Sequence, residues 1–225
     1  MPEKIHRKET KLRYADDYKT KPVLDLTRTL MRDIFISKHS PWDAIPSLHE
    51  QTRKLGITLP YDEYDEIAED VWVHVSAYLS PSAKIQSPAI ICGGAKLCHG
   101  SIVSGSVIGA FSTVGELSVV KNSITFDRSR LCGQNSLLSS VIGYETVIGN
   151  GSIVAEERLD GLNVTVDMPE GLYVTGKGRL GAVICDGVKI GSLCVINPGS
   201  VIDTASVIYP MTSVSGYVQP YSTIK

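Results

Sequence analysis

The chain has 225 residues, a formal net charge of -2, 43% hydrophobic and 20% charged residues. It is long enough to bury a substantial core, its charge leaves no nucleic-acid footprint, and no run of eighteen apolar residues suggests a membrane span. The charged start, MPEKIHRKETK, lacks the apolar stretch of a signal peptide, so the expected location is the cytoplasm.

Residues 1–21 are polar and mildly basic and read as a loosely held arm. Thr20 as cap, Pro22 in the first turn and a stripe of Val23, Leu26, Leu30 and Ile34 predict a helix. Ser40-Pro41-Trp42-Asp43 marks a second helix start, running through Leu48 and Leu55 to a stop at Gly56. Tyr61 to Asp70 holds six acids in ten residues and reads as a solvated linker. Residues 1–70 thus form an arm and helical segment, expected to cap or flank the N-terminal end of the larger domain beyond Asp70.

From Val71 the pattern changes to a six-residue period. Val73, Leu79, Ile85, Ile91, Leu97 and Val103 are evenly spaced, as are Ile184, Ile190, Ile196, Ile202 and Ile208. Small residues stand four places after the large ones, as at Ala77, Ala83, Ala89, Ala95 and Ser101. Six residues fit neither a helix nor an ordinary meander. They fit short flat strands wound around a triangular prism, each face sending one large apolar side chain to the axis. The expected fold is all-β: a left-handed parallel β-helix of hexapeptide repeats over residues 71–225, about six turns long. The hexads lapse from Glu156 to Arg179 and resume in register at Ile184. The loop 156–179 must therefore project from a continuous coil. Alternation at Val164, Val166, Leu172 and Val174 suggests a small hairpin or an arm reaching another subunit. Five cysteines (Cys92, Cys98, Cys132, Cys185, Cys194) without a CxxC pair read as reduced thiols in coil turns, with no metal site.

The strings VKNSI, VIGYETVIGNGSIVA, RLDGLNV, TGKGRLGAVICDGVKIG and INPGSVI occur in this order. Together with SPWDAIPSL, over residues 40–215, they resemble the C-terminal domain of sugar-1-phosphate nucleotidylyltransferase/N-acetyltransferases, the group containing the GlcNAc-1-phosphate uridylyltransferase. The nucleotidyl-transferring domain has no counterpart in residues 1–70. The resemblance implies a homotrimer, acetyl-CoA or another acyl-CoA as cofactor, and transfer of the acyl group to a sugar phosphate or nucleotide sugar. It places Lys121 at the substrate phosphate and matches Arg158, with Asp160 beside it, in the loop; Lys177, Arg179 and Lys189 make a basic cluster after the loop, expected to contact a phosphate of a nucleotide sugar or of CoA. It places Ala182, Ser192, Tyr209 and Pro210 along the cofactor.

The chain departs from this pattern where the chemistry is done. Counting forward from Lys121, the family's catalytic histidine falls on Gly133, its tyrosine on Ser136, its asparagines on Val147 and Glu156, and its earlier arginine on Val103. No histidine occurs after His99, which argues against ordinary hexosamine N-acetylation. The candidates for a replacement base are His99, in LCHGSIV, and Glu156 with Glu157 at the loop root. Two readings are open: an acyltransferase with a reorganised site, or a non-catalytic protein that binds a sugar nucleotide or CoA or acts as a trimeric scaffold.

Overall fold

A computed structural model describes residues 12–14 (backbone alone), 24–36, 38 and 40–225. Thr20, Pro22 and Val23 of the first expected helix lie outside the described residues. The rest of that stretch forms a short 3-10 turn, Leu26–Arg28, and a five-residue helix, α1 (Arg32–Ile36). Ser40 then leads into a 3-10 helix, Pro41–Ser47, which passes directly into α2 (Leu48–Gly56). Gly56 does more than end α2. A Cβ there would lie 2.2 Å from the Trp72 ring, so only glycine admits the indole beneath the helix.

The remainder is a left-handed parallel β-helix with three faces. The first face has nine strands, the second eight and the third seven. The outermost strand of the first face, Tyr64–Ala68, runs antiparallel to Val71–His74. This makes eight coils, the last lacking its third strand, against about six expected from the hexads. The extra length comes from strands the hexads did not include: Ile124–Thr125, where the inward residue is polar, and the terminal Ser213–Val214, Tyr217–Val218 and Thr223–Ile224, where polar residues obscure the period. The acidic stretch also departs from expectation. It is a strand of the first face rather than a solvated linker, and its charged, exposed side chains blunt the sheet edge. The coil's sheet therefore starts at Tyr64, inside the segment assigned to the N-terminal unit.

Inside the prism the large hexad residues stack in three columns. On the second face the column runs Leu79, Leu97, Val114, Leu131, Ile148, Ile190, Ile208 and Ile224. On the first it is interrupted by Thr125 between Ile108 and Ile142, where the hydroxyl accepts the Gly109 N–H. Serines and threonines at the small positions bond to carbonyls of the next coil, as Ser118 Oγ to Cys132 O (2.9 Å) and Thr146 Oγ1 to Cys185 O (2.7 Å). They fill corners too tight for branched apolar groups and leave no buried hydroxyl idle there.

A second apolar cluster lies outside the prism, against the first face. Trp72, Ile90, Val107, Ile124, Val141, Val183 and Val201 point outward and are buried beneath Leu24, Met31, Ile34, Phe35, Trp42 and Leu48. The inserted loop completes this cover. It forms a hairpin, Thr165–Met168 with Gly171–Val174, whose Val164, Val166, Met168 and Tyr173 pack on the same face. Strand Leu12–Tyr14 adds to it in parallel. Trp42 and Tyr173 meet with ring centroids 6.1 Å apart, joining helices to hairpin. The helical segment therefore flanks a side of the coil, and the insertion folds back on its own chain.

Candidate functional site

Two long edges bound the third face, and the candidate residues divide between them. The edge from the second to the third face stacks one residue per coil: His99, Glu116, Gly133, Asn150, Ser192 and Pro210. Backbone bonds fix the order, from Leu117 N to His99 O (2.9 Å), Gln134 N to Glu116 O (2.7 Å), Gly151 N to Gly133 O (3.0 Å) and onward. Gly133, the counterpart of the family's base, donates its N–H to Asn150 Oδ1 at 2.8 Å. A hollow of about 450 Å³ surrounds it, walled by Glu116, Arg130, Gln134, Asn150 and the Cys98 and Cys132 turns. The structure thus brings Ser192, Tyr209 and Pro210 onto the same edge as Gly133. Ala182 is not there. It is buried at the start of the sixth coil, its N–H donated to Ser140 Oγ (3.0 Å) and its carbonyl accepting Val141 N–H (3.0 Å). The exposed His99 stands two coils below Gly133 with Nδ1 2.7 Å from Ser82 Oγ.

The edge from the third to the first face carries the other group. Lys121 ends its strand pointing outward, and its ammonium has no partner among the described residues. Asn122, Ser139 and Glu156 stand one above another on successive coils. Ser139 Oγ donates to Glu156 Oε2 in a short hydrogen bond, which occupies one oxygen of the proposed replacement base. The chain also supplies a group here that its sequence conceals. Leu48 buries the start of α2, and the next residue, His49, reaches the edge with Nε2 2.8 Å from Asn122 Oδ1. Gly105 makes room for it: a Cβ there would lie 2.2 Å from His49 Nε2, and its φ of +58° suits glycine. The two partners are 73 residues apart, and no spacing rule links them. The one available signal was Asn122 itself, a residue type tolerant of the positive φ (48°) this corner imposes.

The basic cluster expected after the loop is dispersed. Lys177 Nζ is 2.7 Å from Asp43 Oδ1, pinning the hairpin to the helical segment. Arg179 pairs with Glu157 at 2.5 Å across the loop root. Lys189 lies exposed on the second face. Arg158 clasps Asp160 through two nitrogens (2.9 and 2.5 Å), and this holds the Asp160 carboxyl down at about 2. These charges organise the loop; of the four cations expected at substrate, Lys121 alone has no partner among the described residues. The thiols of Cys92, pushed up to about 12 by burial, and Cys185, also raised by burial, are structural. Among the described residues no group of three or more His, Cys, Asp and Glu side chains could hold a metal, and no helix is long and apolar enough to cross a membrane.

A hexad coil with its base position vacated and a polar edge on each side of one bare face is a hexapeptide-repeat left-handed β-helix domain of the acetyltransferase-like kind. Sequence relatives agree. The chain is 28% identical over 186 residues to the uncharacterized acetyltransferase YaiX of Escherichia coli O6:K15:H31, covering 74% of this chain and 77% of that one. It is 34% identical over 95 residues to the bifunctional protein GlmU of Methanococcus maripaludis, which is 42% of this chain and 23% of GlmU. The chain thus spans less than a quarter of that relative. Among solved structures, a mutant of the Bacillus cereus N-acyltransferase AntD is 14% identical with a TM-score of 0.39, covering 69% and 75% of the two chains. The acetyltransferase domain of PglB from Neisseria gonorrhoeae is 19% identical with a TM-score of 0.30, covering 67% of this chain and 56% of that one. No family model matches.

Proposed function

We propose that this protein is a cytoplasmic homotrimeric acyltransferase that moves an acyl group from acetyl-CoA or another acyl-CoA to the amine of a sugar phosphate or nucleotide sugar. The observation that carries the reading is the match to an acetyltransferase along three quarters of both chains. The edge holding Gly133, Ser192, Tyr209 and Pro210 offers the cofactor a groove of backbone and small side chains, with the hollow at Gly133 for the thioester. Outward residues of the third face support the trimer. Ile102, Val119, Ser136, Ile153 and Val195 lie in one register, four of the five apolar, with Ile153 and Val195 45% and 39% exposed. An apolar face of this kind favours packing against other copies.

The reaction requires a neutral amine to attack the thioester carbonyl, donors to hold the oxyanion and a base to take the amine proton. Backbone N–H groups at the corners are suitable donors, and Lys121 is placed to hold a phosphate. The second reading, a binder without catalysis, is favoured by one observation, the absent side chain at Gly133.

Thermal denaturation with and without acetyl-CoA tests the first step, since a ligand of the native state at a hundred times its Kd adds about 2.7 kcal/mol of stability. Thiol release with amino-sugar phosphates and nucleotide amino sugars then separates enzyme from binder. A melting temperature unmoved by millimolar acetyl-CoA would remove both CoA-dependent readings.

A further inference from the structure

The outward side of the second face carries one sign of charge along its length. In register it presents Lys96, Arg130 and Lys189, and no acid stands in that column. Arg130 is the middle cation, exposed at the start of its strand, with Thr113 paired on one side and Val147 on the other. Its guanidinium has no partner among the described residues. Of the three cations, Arg130 is the one that borders the hollow at Gly133.

The hollow exists because two glycines stand where side chains would fill it. A Cβ on Gly115 would lie 2.4 Å from the Cys132 carbonyl carbon and oxygen, so the packing between coils keeps that floor bare. A Cβ on Gly133 would come no nearer than 3.3 Å to Glu116 O, so the space over Gly133 is open. The volume of about 450 Å³ lies in the range of small-ligand sites. Its walls differ in charge. Glu116 is the one acid, at the corner one coil before Gly133, and Arg130 is the one cation, on the second face; the two do not pair. Asn150 Oδ1 is taken by the Gly133 N–H, which leaves the Asn150 amide nitrogen to donate.

We propose that the acyl donor of this protein is a CoA thioester of a short dicarboxylic acid, of the succinyl class, and that Arg130 is the specificity residue that holds its free carboxylate. The inference rests on the acyltransferase reading above, which sets the thioester carbonyl at Gly133. An acetyl group ends at its methyl and would leave the guanidinium unpaired. A succinyl group carries a carboxylate beyond the carbonyl, and a guanidinium receives a carboxylate through two parallel N–H···O bonds. Three residues of extended chain, from Arg130 to Gly133, span about 10 Å, a distance that a succinyl group and an arginine side chain cover together. Glu116 repels an anion from the corner, so the carboxylate has one seat, toward the second face. In the transfer the acceptor's amine nitrogen bonds to the thioester carbonyl carbon, the carbon–sulfur bond breaks, and CoA leaves as the thiol with a proton from the amine. The second carboxylate takes no part, and the product is an amide that bears a free acid.

The test is titration calorimetry of the full chain with succinyl-CoA, with butyryl-CoA, whose acyl group is as long and uncharged, and with acetyl-CoA. The wild type should bind succinyl-CoA about 10- to 100-fold more tightly than butyryl-CoA, the worth of a charge-assisted pair. Arg130→Gln should bring succinyl-CoA to the level of butyryl-CoA at an unchanged melting temperature, since the side chain is exposed. A wild type that binds acetyl-CoA and does not favour succinyl-CoA over butyryl-CoA overturns this inference alone, as does a preference that survives Arg130→Gln. Equal weakening of all three thioesters in Arg130→Gln would assign the guanidinium to a phosphate of CoA and overturn it too. A wild type that binds none of the three overturns the acyltransferase reading with it.

Discussion

The first and third faces of the prism both turn aliphatic side chains outward, unbroken on the first and interrupted by Ser136 on the third, and those side chains have opposite fates. On the first, Trp72, Ile90, Val107, Ile124, Val141, Val183 and Val201 are buried by helices and hairpin of the same chain. On the third, Ile102, Val119, Ile153 and Val195 are left half-buried or exposed. A coil can satisfy its interior from its own repeats, but a flat apolar face needs cover from elsewhere. This chain spends its N-terminal segment and its one large insertion on a single face. Under the proposed trimer, the third face is covered by other copies, and its two edges become the walls of the site.

The sharpest way to break this contrast is one charge placed on each face. Ile124→Asp puts an unpaired carboxylate under the helices and should cost several kcal/mol, enough to unfold a marginal domain. Ile153→Asp should keep the circular dichroism spectrum and separate the copies in sedimentation. If Ile153→Asp unfolds as readily as Ile124→Asp, the third face is not an assembly surface.

A smaller effect is expected where helices and hairpin meet. Trp42, 1% exposed, should cost about 3–5 kcal/mol when replaced by alanine, read from the denaturant midpoint. Proteolysis of the loop around Gly161 should accelerate in the same variant, because the hairpin rests on that ring. A Trp42→Ala loop as resistant as wild type would mean that the hairpin holds to the coil without the helices.

The smallest effect is in pH. Burial raises the carboxyls of Asp127 and Asp186, at the edge between the first and second faces, above the usual carboxylate range. For an acid whose folded pKa is raised, the native state binds more protons in the window from the ordinary value up to the raised one. Stability therefore falls as pH rises through that window. Asp127→Asn keeps an acceptor for the Ala110 N–H, now 2.8 Å away. It should raise the melting temperature slightly at pH 7 and leave it unchanged at about pH 4, where the carboxyl is ordinarily half protonated. A lowered melting temperature at pH 7 would show that attraction to Arg28 and Arg128 outweighs burial.

Much of the architecture was legible because a six-residue period carries its own geometry. The interior columns follow the hexads, and the small positions are where hydroxyls meet carbonyls. Even the covered face left a trace. The residue before the inward one is large and apolar at Ile90, Val107, Val141, Val183 and Val201, once per coil, while the second face puts Lys96, Thr113, Arg130 and Lys189 there. The hairpin was harder to read. Alternation marked Leu172 and Val174, but the register sets Tyr173 opposite Val166, and it is Tyr173 that is buried. Pairing, rather than hydropathy, chose the inward side.

Local repetition determined the coil and the insertion point, because each depends on residues a few places apart, and the family resemblance marked the empty base position. Tertiary structure alone decided which cations are free and which imidazole meets which edge. Lys177 and Arg179 lost their availability to Asp43 and Glu157, and His49 gained Asn122, through contacts whose geometry depends on how α2 docks over the first coils. Docking follows the burial of Trp72 and Leu48, a packing preference without direction in the sequence, and so the polar groups it carries along arrive where no spacing pattern could foretell.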